Sequence, residues 1–378
     1  MLDSQRELFG IPADLAYFNC ASLAPLMLPA REAGRRALEL RGEPWRIAAP
    51  DWFSGTEQRR SLFARLVGVS PENVALVPAT SYGLAVAARN LPATPGQRVL
   101  VIAEDYPSNV YTWRAFCARQ DCELLTVRRA PGQEWTEAVL EALDERVAIA
   151  ALPNVHWTDG SLLDLPVIAA RVQAVGARLV VDASQSLGAM PFDFAGVRPD
   201  FLVAVGYKWL LGPFGLGYLY VADEHLDGAP LEENWISRRG SDNFATLVDY
   251  TDRYLGGARR FDVGQRTLFE TTPVAIAVLE RMVEWGVARI AATLAAKTER
   301  IARETTAMGL SLSSQGRRGP HMLGLTLPKE TVAAAPGLLK ESGVYVATRA
   351  STTRISPHVY TEDRDIDRLL QALGRLTR

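Results

Sequence analysis

An acid and a lysine at the ends of two apolar runs constrain this chain more than any other feature. Leu179, Val180 and Val181 lead into Asp182; Phe201 to Val205 lead into Gly206, Tyr207 and Lys208, 26 residues after the acid. Short, continuously apolar runs predict parallel strands buried on both faces. Their C-terminal ends share one edge of the sheet, where open α/β sheets hold ligands. A glycine-punctuated run, Gly215 to Tyr220, follows. The spacing predicts an α/β fold with Asp182 and Lys208 facing one crevice.

Pyridoxal phosphate (PLP) chemistry asks for such a pair. A lysine amine bonds the cofactor's aldehyde carbon, and a carboxylate keeps the pyridine nitrogen protonated so that the ring draws electrons. Asp182-Ala183-Ser184-Gln185-Ser186 followed by Gly206-Tyr207-Lys208 resembles the class V aminotransferase branch of fold-type I PLP enzymes. That branch includes cysteine desulfurases, kynureninase and isopenicillin N epimerase-like proteins. The resemblance implies a mainly parallel seven-stranded sheet with helices on both faces, plus a smaller α+β domain. It also implies Asp182 at the pyridine nitrogen, Gln185 near the phenolic oxygen, Lys208 at the aldehyde and Tyr207 on the phosphate.

Other stretches fall into place around that core. Val74 to Val77 reads as a strand, and Pro78-Ala79-Thr80-Ser81 precedes an alanine-rich helix. Free amides and the dipole at a helix start suit a phosphate, and the resemblance assigns Ala79, Thr80 and Ser81 to it. The next strand ends in Glu104-Asp105-Tyr106-Pro107-Ser108-Asn109. The resemblance stacks Tyr106 on the pyridine ring, where a flat π-face fits, with Asn109 close by. After the strand Val147 to Leu152, the chain carries His156-Trp157 where many family members have asparagine. His156 is therefore a catalytic candidate and Trp157 a substrate-side one. Asn19 and Ser22 lie in the stretch that resembles the one passing the active-site mouth, and Trp235 belongs to an aromatic, loop-rich region over residues 222–260. Arg354, in Ser351-Thr352-Thr353-Arg354-Ile355, matches the arginine that grips a substrate α-carboxylate, a bidentate task suited to a guanidinium; Arg349 is a second candidate. Residues 261–267, with Gln265 and Thr267, resemble the loop that reaches a partner's phosphate, which implies a homodimer with shared sites.

Composition narrows the function class. The chain has 378 residues and a formal net charge of −2, with no basic excess to suggest a nucleic-acid partner. No apolar run approaches the roughly 20 residues of a membrane helix, and the charged start lacks a signal-peptide core. Cys20, Cys117 and Cys122 have no metal-ligand spacing; a cytoplasmic protein without a metal is expected. Three regions are expected: an N-terminal segment over 1–20, a PLP-binding α/β domain over 21–260, and an interface loop, linking helix and small domain over 261–378. No cysteine stands between positions 343 and 353, where desulfurases carry their nucleophile. The substrate is expected to be a small α-amino acid and the reaction lyase-type, C–S or C–C cleavage at the β-carbon. Alternatives are transamination, epimerisation, or a non-catalytic module that keeps the fold.

Overall fold

The fold was read from a computed structural model, which describes residues 1–312, 314, 317–349 and 351–376. Ala350, at the start of the Arg354 motif, lies outside them. A two-residue strand, β1 (Ala16–Tyr17), precedes the large sheet. That sheet holds β2 (Val74–Val77), β3 (Arg98–Ile102), β4 (Glu123–Val127), β5 (Val147–Pro153), β6 (Arg178–Asp182), β7 (Phe201–Val205) and β8 (Gly217–Val221). Then come β9 (Ser311–Leu312), β10 (Leu323–Thr326), β11 (Val344–Tyr345), β12 (Ala347–Arg349) and β13 (Thr352–Ile355).

The large sheet runs β2-β8-β7-β6-β5-β3-β4. β3 to β7 pair in parallel with their neighbours among themselves and with β4, whereas β8 is antiparallel to both β2 and β7. Alternate residues of each strand enter different cores. Val74, Leu76, Leu100, Ile102, Ala150 and Leu152 join one apolar cluster, and Ala75, Val77, Val99, Val101, Ile149 and Ala151 the other. A sheet covered on both faces cannot alternate apolar with polar, so its strands read as unbroken apolar runs.

Helices cover both faces. Thr80–Asn90 lies so close to the sheet that a Cβ on Gly83 would sit 2.7 Å from Val203 Cγ2. The approach needs a residue without a side chain, and it sets the helix start beside the ends of β6 and β7. The apolar stretch beginning at Pro273 is the helix Thr272–Trp285, and it leads through Gly286 into Val287–Ala307. Helices Leu28–Gly42 and Ser54–Val67 are separated by short 3-10 turns at Pro44 and Pro50, since proline does not continue a helix interior.

A second sheet, β12-β13-β10-β9, is antiparallel and packs with the C-terminal helix Asp363–Gly374 around its own core. β1 pairs in parallel with β11, so the N-terminal segment is stitched to this smaller unit. Among the described residues, no helix is long and apolar enough to cross a membrane.

Candidate active site

Asp182 ends β6, aligned with Pro153 of β5 on one side and Val203 of β7 on the other. Lys208 lies three residues past β7, in a loop closed by Gly206 N–H to Leu216 O (2.7 Å), Gly212 N–H to Gly206 O (2.8 Å) and Leu211 N–H to Lys208 O (3.0 Å). Gly188 is required beneath this loop. Its φ is +93°, and a Cβ there would stand 2.6 Å from the Trp209 carbonyl oxygen. Both reactive side chains are only 6 % exposed.

Among the described residues, nothing hydrogen-bonds the Lys208 amine. It stands 5.1 Å from the centre of the Tyr106 ring and 5.9 Å from that of Tyr207. Burial pushes its pKa down to about 8; Arg354 pushes the same way, while the charge of Asp182 opposes both. Burial raises the Asp182 carboxyl above the ordinary range, against the pull of Ser184, whose N–H donates to Oδ1 at 2.9 Å, and of Lys208. An uncommitted, partly neutral amine facing a buried carboxylate fits the aldehyde and ring nitrogen of PLP.

The phosphate end fits as well. Ala79 caps the helix Thr80–Asn90 without a capping side chain. Among the described residues, none accepts the amides of Thr80 or Ser81, which leaves orphan donors for an anion. Thr80 is buried, with its Oγ1 3.1 Å from Ser184 Oγ, whereas Ser81 is exposed. Gln185 is held at both ends: its Nε2 donates to Ala21 O (3.1 Å) and its Oε1 accepts from Trp209 Nε1 (2.9 Å). The second Nε2 hydrogen has no acceptor among the described residues.

Arg354 comes from the small sheet. It is 1 % exposed, donating through Nη1 to Trp157 O and through Nη2 to Ser22 Oγ, both at 2.6 Å. Its Nε has no partner, and burial, with help from Arg349, lowers its pKa to about 10. Among the described residues, no carboxylate pairs with it. Trp157 meets the Tyr106 ring edge-on at 5.7 Å and anchors its own N–H on Glu104 O. Asn19 lies on the neighbouring turn, bridged to Ser356, with its buried Oδ1 unpartnered. Tyr106 and Arg354 thus reach the Lys208 amine from two segments, with Trp157 and Ser22 held against them, while the Asn109 side chain bonds Asp105, Ala151 O and Trp113.

Four candidates stand apart from this group. His156 is buried against Trp135, with its Nδ1 2.9 Å from Thr158 Oγ1 and 3.2 Å from Asp159 Oδ1. No bond or ring contact joins it to Lys208, Asp182 or Tyr106 among the described residues. Burial raises the Asp159 carboxyl, but the hydrogen bond and charge of His156, with Arg129, outweigh it and bring it to about 2. Trp235, 41 % exposed, packs with Trp52, Phe53 and Phe244. On the loop after β8, Gln265 is exposed, and Thr267 spends its hydroxyl hydrogen on Trp52 O at 2.8 Å. That loop is anchored by Asp262, which pairs with Arg60 at 2.7 Å and with Arg266.

Asp105 was passed over in the sequence. It is buried, accepting from Tyr106 N–H at 2.6 Å and from Asn109 Nδ2 at 2.7 Å. Burial, with the nearby charge of Asp182, lifts its carboxyl to about 7 against the hydrogen bond of Asn109. Glu104 before it adopts a left-handed φ of 59°, a conformation that costs a non-glycine residue energy. An acid at a strand end, one residue before the stacking aromatic, was the available signal.

The fold, the lysine–carboxylate pair and the anion-ready helix start define a fold-type I PLP-dependent enzyme. The chain belongs to the aminotransferase class-V family, whose model matches residues 51–369. An uncharacterized aminotransferase, YcbU, from Bacillus subtilis is 29 % identical over 90 % of this chain and 88 % of its own. A kynureninase from Geobacillus thermodenitrificans is 26 % identical over 98 % and 90 %. Among solved structures, the cystine C–S lyase C-DES with its product cysteine persulfide superposes with a TM-score of 0.87 at 20 % identity, covering 96 % of this chain and 98 % of that one. A cysteine desulfurase from Thermococcus onnurineus superposes with a TM-score of 0.83 at 16 % identity, covering 100 % and 99 %. At these identities the structures speak for the fold alone.

Proposed function

We propose that this enzyme cleaves a bond at the β-carbon of a small α-amino acid, with Lys208 as its proton-transfer base. The observation that carries the reading is the slot around the Lys208 amine, walled by the Tyr106 and Tyr207 rings and holding no reactive thiol. Cys20 lies nearby, its Sγ 3.7 Å from the Lys208 carbonyl oxygen, but it is fully buried and burial pushes its thiol far above the usual range. Cys117 and Cys122 sit across the sheet, among the helix Pro107–Gln120 and β4. A persulfide route therefore lacks its nucleophile.

PLP, bound here, supplies an electron-withdrawing ring that acidifies the substrate α-carbon. This chain's residues do the rest. Asp182 would hold the ring nitrogen protonated, Thr80 and the amides of Thr80 and Ser81 would hold the phosphate with Tyr207, and Gln185 would serve the phenolic oxygen. Arg354, braced by Ser22 and Trp157, fixes the α-carboxylate and so orients the Cα–H bond. Lys208, partly neutral near pH 8, takes the α-proton and returns it to the departing group or the product. Tyr106, positioned by Asp105 and Asn109, covers the ring. His156 holds the turn that carries Trp157.

The reading includes a homodimer in which Gln265 and the loop around it reach the partner's phosphate, and a cytoplasmic location, which the three free cysteines suit. Trp235, with its aromatic neighbours, lies at the rim of that joint site. Mixing a Lys208→Ala subunit with one altered at Gln265 and Thr267 is expected to restore activity, because one of the two sites then carries neither defect; a fully active monomer overturns the dimer.

A panel of amino acids tests the reaction. Release of ammonia with pyruvate, or of sulfide, without a 2-oxo acid acceptor supports lyase chemistry. Turnover that requires such an acceptor and transfers the amine to it would establish an aminotransferase instead.

A further inference from the structure

The hairpin that delivers Arg354 carries a second guanidinium that the proposed reaction leaves unused. Arg349 ends β12 and faces Thr352 of β13, one register pair beyond the Thr348–Thr353 pair that separates it from Arg354. Its guanidinium carbon lies 6.0 Å from the centre of the Trp157 ring. Trp157 is the residue whose carbonyl receives Arg354 and whose ring meets Tyr106. Both arginines thus meet Trp157, Arg354 at its carbonyl and Arg349 over its ring, close enough for Arg349 to act on the charge of Arg354. Arg349 is exposed, and among the described residues its side chain donates only to the carbonyl of its neighbour Thr348. Among the described residues, no carboxylate lies within ion-pair distance of either arginine, although 29 ion pairs serve the charges elsewhere.

Two like charges brought together with no counterion are unfavourable. Arg349 makes the Arg354 guanidinium easier to deprotonate, an effect second only to burial. The fold maintains that repulsion beside a substrate pocket. An anionic group spanning both arginines removes it, and the Trp157 ring attracts the Arg349 guanidinium that lies over it.

We propose that the substrate is an amino acid with a second carboxylate, Arg354 holding the α-carboxylate and Arg349, over the Trp157 ring, the distal one. The inference rests on the assignment of Arg354 to the α-carboxylate. The β-carbon then lies between two anchored ends. The distal carboxylate also marks the correct substrate among the many small amino acids that share an α-carboxylate.

Binding to the holoenzyme, read as the change in cofactor absorbance, tests this without turnover. L-aspartate, L-glutamate and L-cystine are titrated against L-alanine and L-serine. Wild type is expected to bind at least one two-carboxylate ligand roughly tenfold or more tightly than L-alanine, the scale of one charged hydrogen-bonded contact. Arg349→Met is expected to collapse that ratio to near one, and Arg349→Lys to recover part of it. A wild-type ratio near one, or a ratio that survives Arg349→Met, overturns the inference. Arg354→Met separates the two levels: if L-alanine then binds as in wild type, the α-carboxylate assignment itself has failed.

Discussion

Replacing Lys208 by methionine in the cofactor-free protein is expected to make the chain more stable at neutral pH, although it destroys the catalyst. The amine has no hydrogen-bond partner among the described residues. Burial, with Arg354, lowers its pKa from 10.5 to about 8 despite the opposing charge of Asp182. At about 1.36 kcal/mol per pH unit, that displacement corresponds to roughly 3 kcal/mol. The sign follows from proton counting. Between about 8 and 10.5 the unfolded chain holds the proton more firmly than the folded one, so stability rises with pH across that window. Below it, the folded protein bears the whole cost of a buried ammonium. Methionine matches the length of the side chain without the charge. Urea unfolding of both cofactor-free proteins at pH 7 and at pH 10.5 measures the difference. The variant should lead by up to roughly 3 kcal/mol at pH 7, and the gap should close by the higher pH. A gap absent at pH 7, or unchanged at pH 10.5, would refute the claim that burial strains this lysine.

Asp182→Asn should retain bound cofactor yet slow α-proton exchange into deuterated water by about a hundredfold or more; exchange at the wild-type rate would remove the carboxylate from the mechanism. Asp105 should oppose the usual trend of carboxylates, because its folded pKa of about 7 lies above the ordinary 3.8. Its contribution to stability is full below pH 3.8 and is lost as pH rises through 7, so Asp105→Asn should flatten unfolding curves across that window; an unchanged slope counts against it. Gly83→Ala should destabilise by roughly 1–3 kcal/mol, since its methyl would overlap Val203; an unaltered urea midpoint would show that the helix can retreat freely.

The parts legible in the sequence were those in which one residue's neighbours along the chain dictate its setting. An unbroken apolar run ending in Asp182 or Lys208 places that residue at a sheet edge whatever the rest of the chain does. The helix after Ala79 announced itself through small residues, and Gly83 now explains why they are small. What stayed hidden depends on distant partners. Nothing local to Asp105 says that Asp182 lies near enough to raise its pKa. Trp135 and Asp159 claim His156, and Trp135 is 21 residues away in the sequence. Trp52 claims the hydroxyl of Thr267 from 215 residues away. The two-residue strands β1 and β11 carry no periodicity of their own; pairing alone makes them strands.

The threading of the chain through its own active site has a consequence for biosynthesis. Ala24 N–H holds the Tyr207 carbonyl at 2.9 Å and Ala21 O holds Gln185, so residues far upstream of Lys208 cradle its loop. Ser22 waits for Arg354, 332 positions later, and Arg6 for Tyr360 and Asp365. A polypeptide that has not yet reached β13 can close its large sheet and present Lys208, but it lacks Arg354. Contacts of such long separation form late and slowly. Truncated products thereby keep the lysine loop and lose the arginine that Ser22 is placed to hold.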